Sequence, residues 1–161
     1  MALHGIKNRW KKKPLTVSFE ITHSCTANCW HCNLGGPLKE ERASAAQYAK
    51  ILEDLDPLMV CISGGEPMAR SDIYEIIETL SKPGRLPWMV VVSNASLMTP
   101  DKFERLKAAG MHQYSCSLDF PDERHDEFRR IPGLFQKMQK LIPELVRSSE
   151  KDDVMLNVCI T

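Results

Sequence analysis

The 161-residue chain lacks a net charge, because 21 acidic and 21 basic residues cancel. That balance removes the general electrostatic reason to expect nucleic acid or an anionic membrane surface as a partner. A long apolar run is also missing. The longest, near Trp88–Val92, is far too short to cross a bilayer, and the first residues carry no apolar stretch of the signal-peptide kind. Both absences lead to the expectation of a cytoplasmic protein, in a compartment where disulfides are rare. No fixed-period repeat, low-complexity tract or linker divides the chain, so one domain with a substantial core is expected. The local exception to the charge balance is Lys7, Arg9, Lys11, Lys12 and Lys13, read as a solvated basic arm over residues 1–14.

A more specific absence is a fourth cysteine beside Cys25, Cys29 and Cys32. These three stand in a C-x3-C-x2-C pattern within Ile21-Thr-His-Ser-Cys-Thr-Ala-Asn-Cys-Trp-His-Cys32. Thiols at this density, without a secretion signal, read as metal ligands rather than a disulfide frame. Three ligands are one short of a closed zinc or four-iron site, which leaves one coordination position open for chemistry. His31 offers a Cys3His zinc alternative, although adjacent residues are poorly placed to share one tetrahedral ion. Cys61, Cys116 and Cys159 lie among strand residues and read as small buried hydrophobes.

Strand and helix signals alternate from about residue 15 onward. Leu15–Ile21, Met59–Ser63, Trp88–Ser93, Gln113–Leu118 and Val154–Thr161 read as strands. Between them, Ser44 and Gln47 form a capping box ahead of a stripe of Tyr48, Ile51, Leu52 and Leu55. Ser71 or Asp72 caps a second helix, which Lys82-Pro-Gly84 ends. Thr99 caps and Pro100 opens a third, closed by Gly110. Asp119–Arg130 reads as a polar loop leading to a helix from about Gly133, which Pro143 should kink or end. The pattern is β(αβ)4 and predicts an α/β fold with a parallel sheet and right-handed crossovers. Active sites of such folds lie at the carboxyl ends of the strands, which is where the cysteine loop falls.

Other strand ends carry polar groups to the same rim. The second strand runs into Ser63-Gly64-Gly65-Glu66-Pro67, where the glycines allow close backbone approach to a ligand. There Glu66 is suited to accept from an ammonium group. Ser93-Asn94 and Ser117-Leu118-Asp119 end the next two strands, and together these groups read as a lined pocket.

The cysteine loop followed by Gly-Gly-Glu-Pro about thirty residues later resembles the radical S-adenosylmethionine (radical SAM) enzyme superfamily. Ser117-Leu-Asp119 followed by His125-Asp126, Arg129 and Gly133-Leu-Phe135 is similar to its peptide-modifying and cofactor-maturing branch, which more often has glycine at the positions of Phe120 and Arg130. The resemblance covers residues 15–161 and implies a partial (β/α) barrel, a fragment of a six-unit core. It also implies that Cys25, Cys29 and Cys32 hold a [4Fe–4S] cluster whose fourth iron is chelated by S-adenosylmethionine. His31 would contact the adenine, and Gly64, Gly65, Glu66 and Pro67 would form the ammonium site. Ser93, Asn94, Ser117 and Asp119 would serve ribose and carboxylate, Arg129 would serve as a carboxylate fork, and Asn157 and Val158 would flank the adenine. His23 is left as an ordinary loop histidine, and Trp30 is expected to pack over the cluster.

The expected activity is reductive cleavage of S-adenosylmethionine to a 5′-deoxyadenosyl radical that abstracts hydrogen from a small-molecule or peptide substrate. The electron would come from a donor such as flavodoxin or ferredoxin. No residue is singled out as a catalytic acid or base. Because the chain ends in its fifth strand, a further carboxyl-terminal segment or a partner chain is expected. A non-catalytic iron–sulfur or zinc module, and an inactive partner-binding scaffold, stay open as alternatives.

Overall fold

A computed structural model describes residues 2–81, 86–149 and 153–158. Five parallel strands form one sheet in sequence order: β1 (Thr16–Thr22), β2 (Met59–Gly64), β3 (Trp88–Ser93), β4 (Gln113–Ser117) and β5 (Val154–Asn157). Helices alternate with them: α1 (Ala2–Trp10) before β1, α2 (Ala45–Leu55), α3 (Ile73–Leu80) and α4 (Pro100–Ala109) in the first three crossovers, then α5 (Arg124–Arg129) and α6 (Leu134–Ser148) in the last. The result is an open partial barrel, as the resemblance implies, built on the parallel sheet that the alternation predicts. The expected Lys82-Pro-Gly84 helix stop and Cys159 lie outside the described residues.

Strand periodicity fixes which face is covered. Phe19 and Ile21, Val60 and Ile62, Met89 and Val91, and Tyr114 and Cys116 alternate along four neighbouring strands and are buried in one core. Ile73, Ile76, Ile77 and Leu80 of α3, Phe103 and Leu106 of α4, and Leu134, Met138, Leu141 and Leu145 of α6 complete it. The opposite face carries Ser18, Glu20, Cys61, Ser63 and Val92, none of them buried, together with the buried Val90 and Ser115. β3 leaves Trp88 and Val92 half-buried on that face, with the buried Val90 between them.

The expected caps of α2 and α4 hold. Ser44 and Gln47 close a reciprocal capping box on α2, Thr99 accepts from Lys102 N at the start of α4, and Gly110 ends that helix at φ +111°. Asp72 precedes α3 but makes no side-chain cap bond, because its carboxylate is taken by Arg70.

Three segments differ from the sequence expectation. Within the basic arm Ala2–Trp10 is helical and the buried Asn8 donates to Asp56 O, while Lys7, Arg9, Lys11 and Lys12 stay exposed. Within the expected polar loop after β4, Arg124–Arg129 forms the short helix α5. Pro143 neither ends nor splits α6, which runs through to Ser148.

Candidate active site

At the carboxyl ends of the strands the loops enclose a cavity of about 160 Å3. Cys25, Cys29, His31 and Cys32 of the loop after β1 line it on one side. Gly64 and Gly65 come from the end of β2, Ser93 and Asn94 from β3, Ser117 from β4 and Arg129 from α5. Residues up to 104 positions apart in sequence thus meet in one space, with all three cysteine thiols among them.

The cysteine loop is shaped by bonds to its own sulfurs and to its neighbours. Cys25 N donates to Gly36 O (3.0 Å), which closes the loop on itself. Ala27 N donates to Cys25 Sγ and Leu34 N to Cys32 Sγ, each at 3.4 Å. Asn28 N and Trp30 N donate to the carbonyls of Arg129 and Phe128, which ties the loop to α5. Glu40 clamps the loop's beginning by accepting from Thr22 Oγ1, His23 N and Arg42 Nε. Donation from Thr22, opposed by burial, dominates in bringing the Glu40 carboxyl down to about 2. Glu40 carries no motif, and only its place in the charged run Lys39-Glu-Glu-Arg42 marked it in the sequence.

The two glycines serve a close approach, but to protein backbone. Gly64 adopts φ +117°, and a Cβ there would lie 2.3 Å from Thr22 O. A Cβ on Gly65 would lie 2.3 Å from Ser24 O. Instead Gly65 N donates to Thr22 O (2.7 Å) and Glu66 N to Ser24 O (2.9 Å), so the β2 turn lies flat against the root of the cysteine loop. The β1–β2 register slips between Glu20 and Thr22 at this point, a local irregularity of the kind that re-aims chain near active sites.

Glu66, expected as an ammonium acceptor, has its carboxylate engaged within the protein. Its carboxylate is fully buried and accepts from Met68 N (3.0 Å), Ser93 Oγ (2.8 Å) and Asn94 N (2.8 Å). Burial raises its carboxyl above the ordinary range, against the donors that lower it. Glu66 thus underpins the floor by joining the ends of β2 and β3, and neither it nor Pro67 lines the cavity. The floor it holds presents Asn94, whose Nδ2 donates to Cys25 Sγ (3.7 Å) and Thr26 Oγ1 (3.0 Å).

Arg129 is likewise engaged within the protein. Its Nε donates to Asp119 Oδ2 (2.6 Å) and its Nη1 to Cys29 Sγ (3.8 Å). Asp119 is buried beneath it and does not line the cavity. Burial raises the Cys29 thiol above its usual value, and the Arg129 charge pulls it back. Burial also raises the Cys25 thiol, against donation from Ala27.

Aromatic rings flank this pair. His31 stacks on Phe128 (4.8 Å, 14°), which meets Phe120 edge-on (5.4 Å). Trp30 does not cover the cavity as expected; it is 73% exposed, with the Arg130 guanidinium 5.8 Å from its ring. Its backbone is held by Phe128 O, which turns the side chain outward. Arg130 sits at φ +55° as the left-handed cap of α5, a conformation that favours glycine. Asn157 and Val158, expected beside the adenine, are exposed at the sheet edge and do not line the cavity.

Known proteins share this arrangement. The Radical SAM superfamily profile matches residues 19–157. The chain belongs to the radical SAM superfamily. It is 33% identical over 130 residues to the AdoMet-dependent heme synthase of Nitratidesulfovibrio vulgaris, covering 77% of this chain and 35% of that protein. It is 31% identical over 145 residues to the PqqA peptide cyclase of Gluconobacter oxydans, covering 84% and 39%. Among solved structures, Streptococcus suis SuiB bound to its precursor peptide SuiA superposes with TM-score 0.75 at 20% identity, over 98% of this chain and 36% of SuiB. The chain therefore spans little more than a third of the length of these relatives.

Radical SAM proteins use a [4Fe–4S] cluster and S-adenosylmethionine, and the donor set here fits that pair. Thiolates are the ligands such clusters take. Each of the three sulfurs has an N–H donor: Ala27 N and Asn94 Nδ2 for Cys25, Arg129 Nη1 for Cys29, and Leu34 N for Cys32. Donors of this kind orient metal-binding thiolates and adjust their basicity. No helix among the described residues is long and apolar enough to cross a membrane.

Proposed function

We propose that this chain is the cofactor-binding part of a radical SAM enzyme that acts on a peptide or another small organic substrate. The carrying observation is that three cysteine thiols and the polar ends of three further strands line one cavity. Cys25, Cys29 and Cys32 would hold a [4Fe–4S] cluster beside S-adenosylmethionine. When bound and reduced by one electron, this pair would supply cleavage to methionine and a 5′-deoxyadenosyl radical, which would take a hydrogen atom from the substrate. The protein orients the reactants and keeps water out.

Individual residues divide that work. The backbone of Gly64 and Gly65 borders the cavity without side chains, leaving room for the methionyl end. Ser93, Asn94 and Ser117 offer hydrogen-bonding groups at the rim for ribose and carboxylate, and His31, which lines the cavity, would contact the adenine. A soluble one-electron carrier such as flavodoxin or ferredoxin reduces the site. The peptide substrates named for PqqA peptide cyclase and for SuiB make a peptide a reasonable substrate class here.

Anaerobic reconstitution with iron and sulfide tests the reading. About four irons per chain are expected, with release of 5′-deoxyadenosine after addition of dithionite and S-adenosylmethionine. Replacing Cys25, Cys29 and Cys32 together by alanine should abolish both. A colourless protein holding one zinc would overturn the proposal.

A further inference from the structure

Beneath the cysteine loop, two polar side chains, Asp119 and Arg129, form a chain that ends on a sulfur, with His125 bonded to the Asp119 backbone. His125 is fully buried, and its Nδ1 accepts from Asp119 N (3.3 Å). The Asp119 carboxylate, also buried, accepts from Arg129 Nε at 2.6 Å. Arg129, 9% exposed, reaches Cys29 Sγ through Nη1 at 3.8 Å. A buried guanidinium is costly unless it is paired and hydrogen-bonded, and here the pairing also fixes its direction. The carboxylate holds one edge of the planar fork, so the other points at the sulfur. The Arg129 carbonyl accepts from Asn28 N, which locks the same residue to the cysteine loop from its backbone side.

We infer that Arg129, positioned by Asp119, is a fixed cation that raises the reduction potential of the cluster held by Cys29, rather than a carboxylate fork for S-adenosylmethionine. The inference rests on the function proposed above. One-electron reduction adds negative charge to the cluster and its thiolates without requiring a proton. A guanidinium beside Cys29 stabilises that added charge, and low local dielectric strengthens the effect. Hydrogen bonds to the sulfurs and net charge are among the means by which proteins set such potentials. Asp119 partly cancels the charge, but its effect on the Cys29 thiol is smaller than that of Arg129. Asp119 is thus a positioning residue, holding Nε while Nη1 reaches the sulfur.

The test is an anaerobic redox titration of the reconstituted chain, followed by electron paramagnetic resonance without S-adenosylmethionine. Arg129→Gln should lower the midpoint by at least tenfold in the one-electron equilibrium, about 59 mV. Arg129→Lys should recover part of that shift, because it restores charge without the fork. Should an unpaired Asp119 impair folding of the single variants, Asp119→Asn/Arg129→Gln removes both charges at once and should still titrate below the parent. Equal midpoints in parent and variants at equal iron content would overturn the inference. So would weaker binding of S-adenosylmethionine by Arg129→Gln with the midpoint unchanged, which assigns Arg129 to the carboxylate. Loss of iron from every variant with the fold retained also counts against tuning. If the parent itself takes up no iron, the proposed function fails before any variant is compared.

Discussion

The two faces of the sheet follow the same five strands and have opposite chemistry. The helix-covered face is continuous and apolar, from Phe19 through Val60, Ile62, Met89 and Val91 to Tyr114. The open face mixes hydroxyls and a thiol with Val90 and Val92, and Ser18 Oγ meets Ser63 Oγ at 2.9 Å across β1 and β2. Parallel sheets are usually apolar on both sides because both are covered. Here one side behaves as the wall of a chamber, and only the other contributes strongly to stability. The rim joins the two: Ser63 faces the open side, and the next two residues, Gly64 and Gly65, turn the chain against the cysteine loop.

This contrast makes a graded set of predictions for chemical denaturation. Ile62→Ala, on the covered face, should cost about 2–5 kcal/mol, because it removes fully buried apolar volume. A loss under 1 kcal/mol would break the contrast. Gly65→Ala, on the rim, should cost about 1–3 kcal/mol through overpacking, since its methyl group would meet Ser24 O at 2.3 Å. It should also lower iron uptake, which Ile62→Ala should spare wherever the chain remains folded.

Glu40 gives the rim its own pH dependence. Its folded-state value of about 2 lies below the ordinary glutamate value. Its contribution is therefore complete above the unfolded-state pKa, about 4.3, and is lost as pH falls toward 2. Glu40→Gln should flatten the stability profile between pH 5 and 2, and a profile that keeps the parent's slope would contradict the clamp. The smallest effect is expected on the open face, where Ser18→Ala should change stability by less than about 0.5 kcal/mol.

Much of the scaffold was readable in the chain. Hydrophobic periodicity marked all five strands and the helices that cover them, because burial of one face leaves a period in the sequence. Capping residues such as Ser44 and Thr99 marked their helix starts for an equally local reason. α5 escaped notice because its Arg124-His-Asp-Glu-Phe-Arg129 has no apolar stripe. The thiols and strand-end residues were found through spacing and motif. The inward turn of Glu66 was not, since nothing local distinguishes a carboxylate that accepts from Asn94, 28 residues away, from one that faces a ligand.

Sequence alone thus determined the order of the strands and the four helices that cover them, the three thiols and the rim on which they fall, because each depends on neighbours within a few residues. Tertiary structure alone decided that the two glycines press on the backbone of Thr22 and Ser24. It also decided that Arg129 spans Asp119 and a sulfur 100 residues distant. Those outcomes come from packing between separate loops, where buried charges must find partners and backbones must fit, and no short stretch of the chain encodes them.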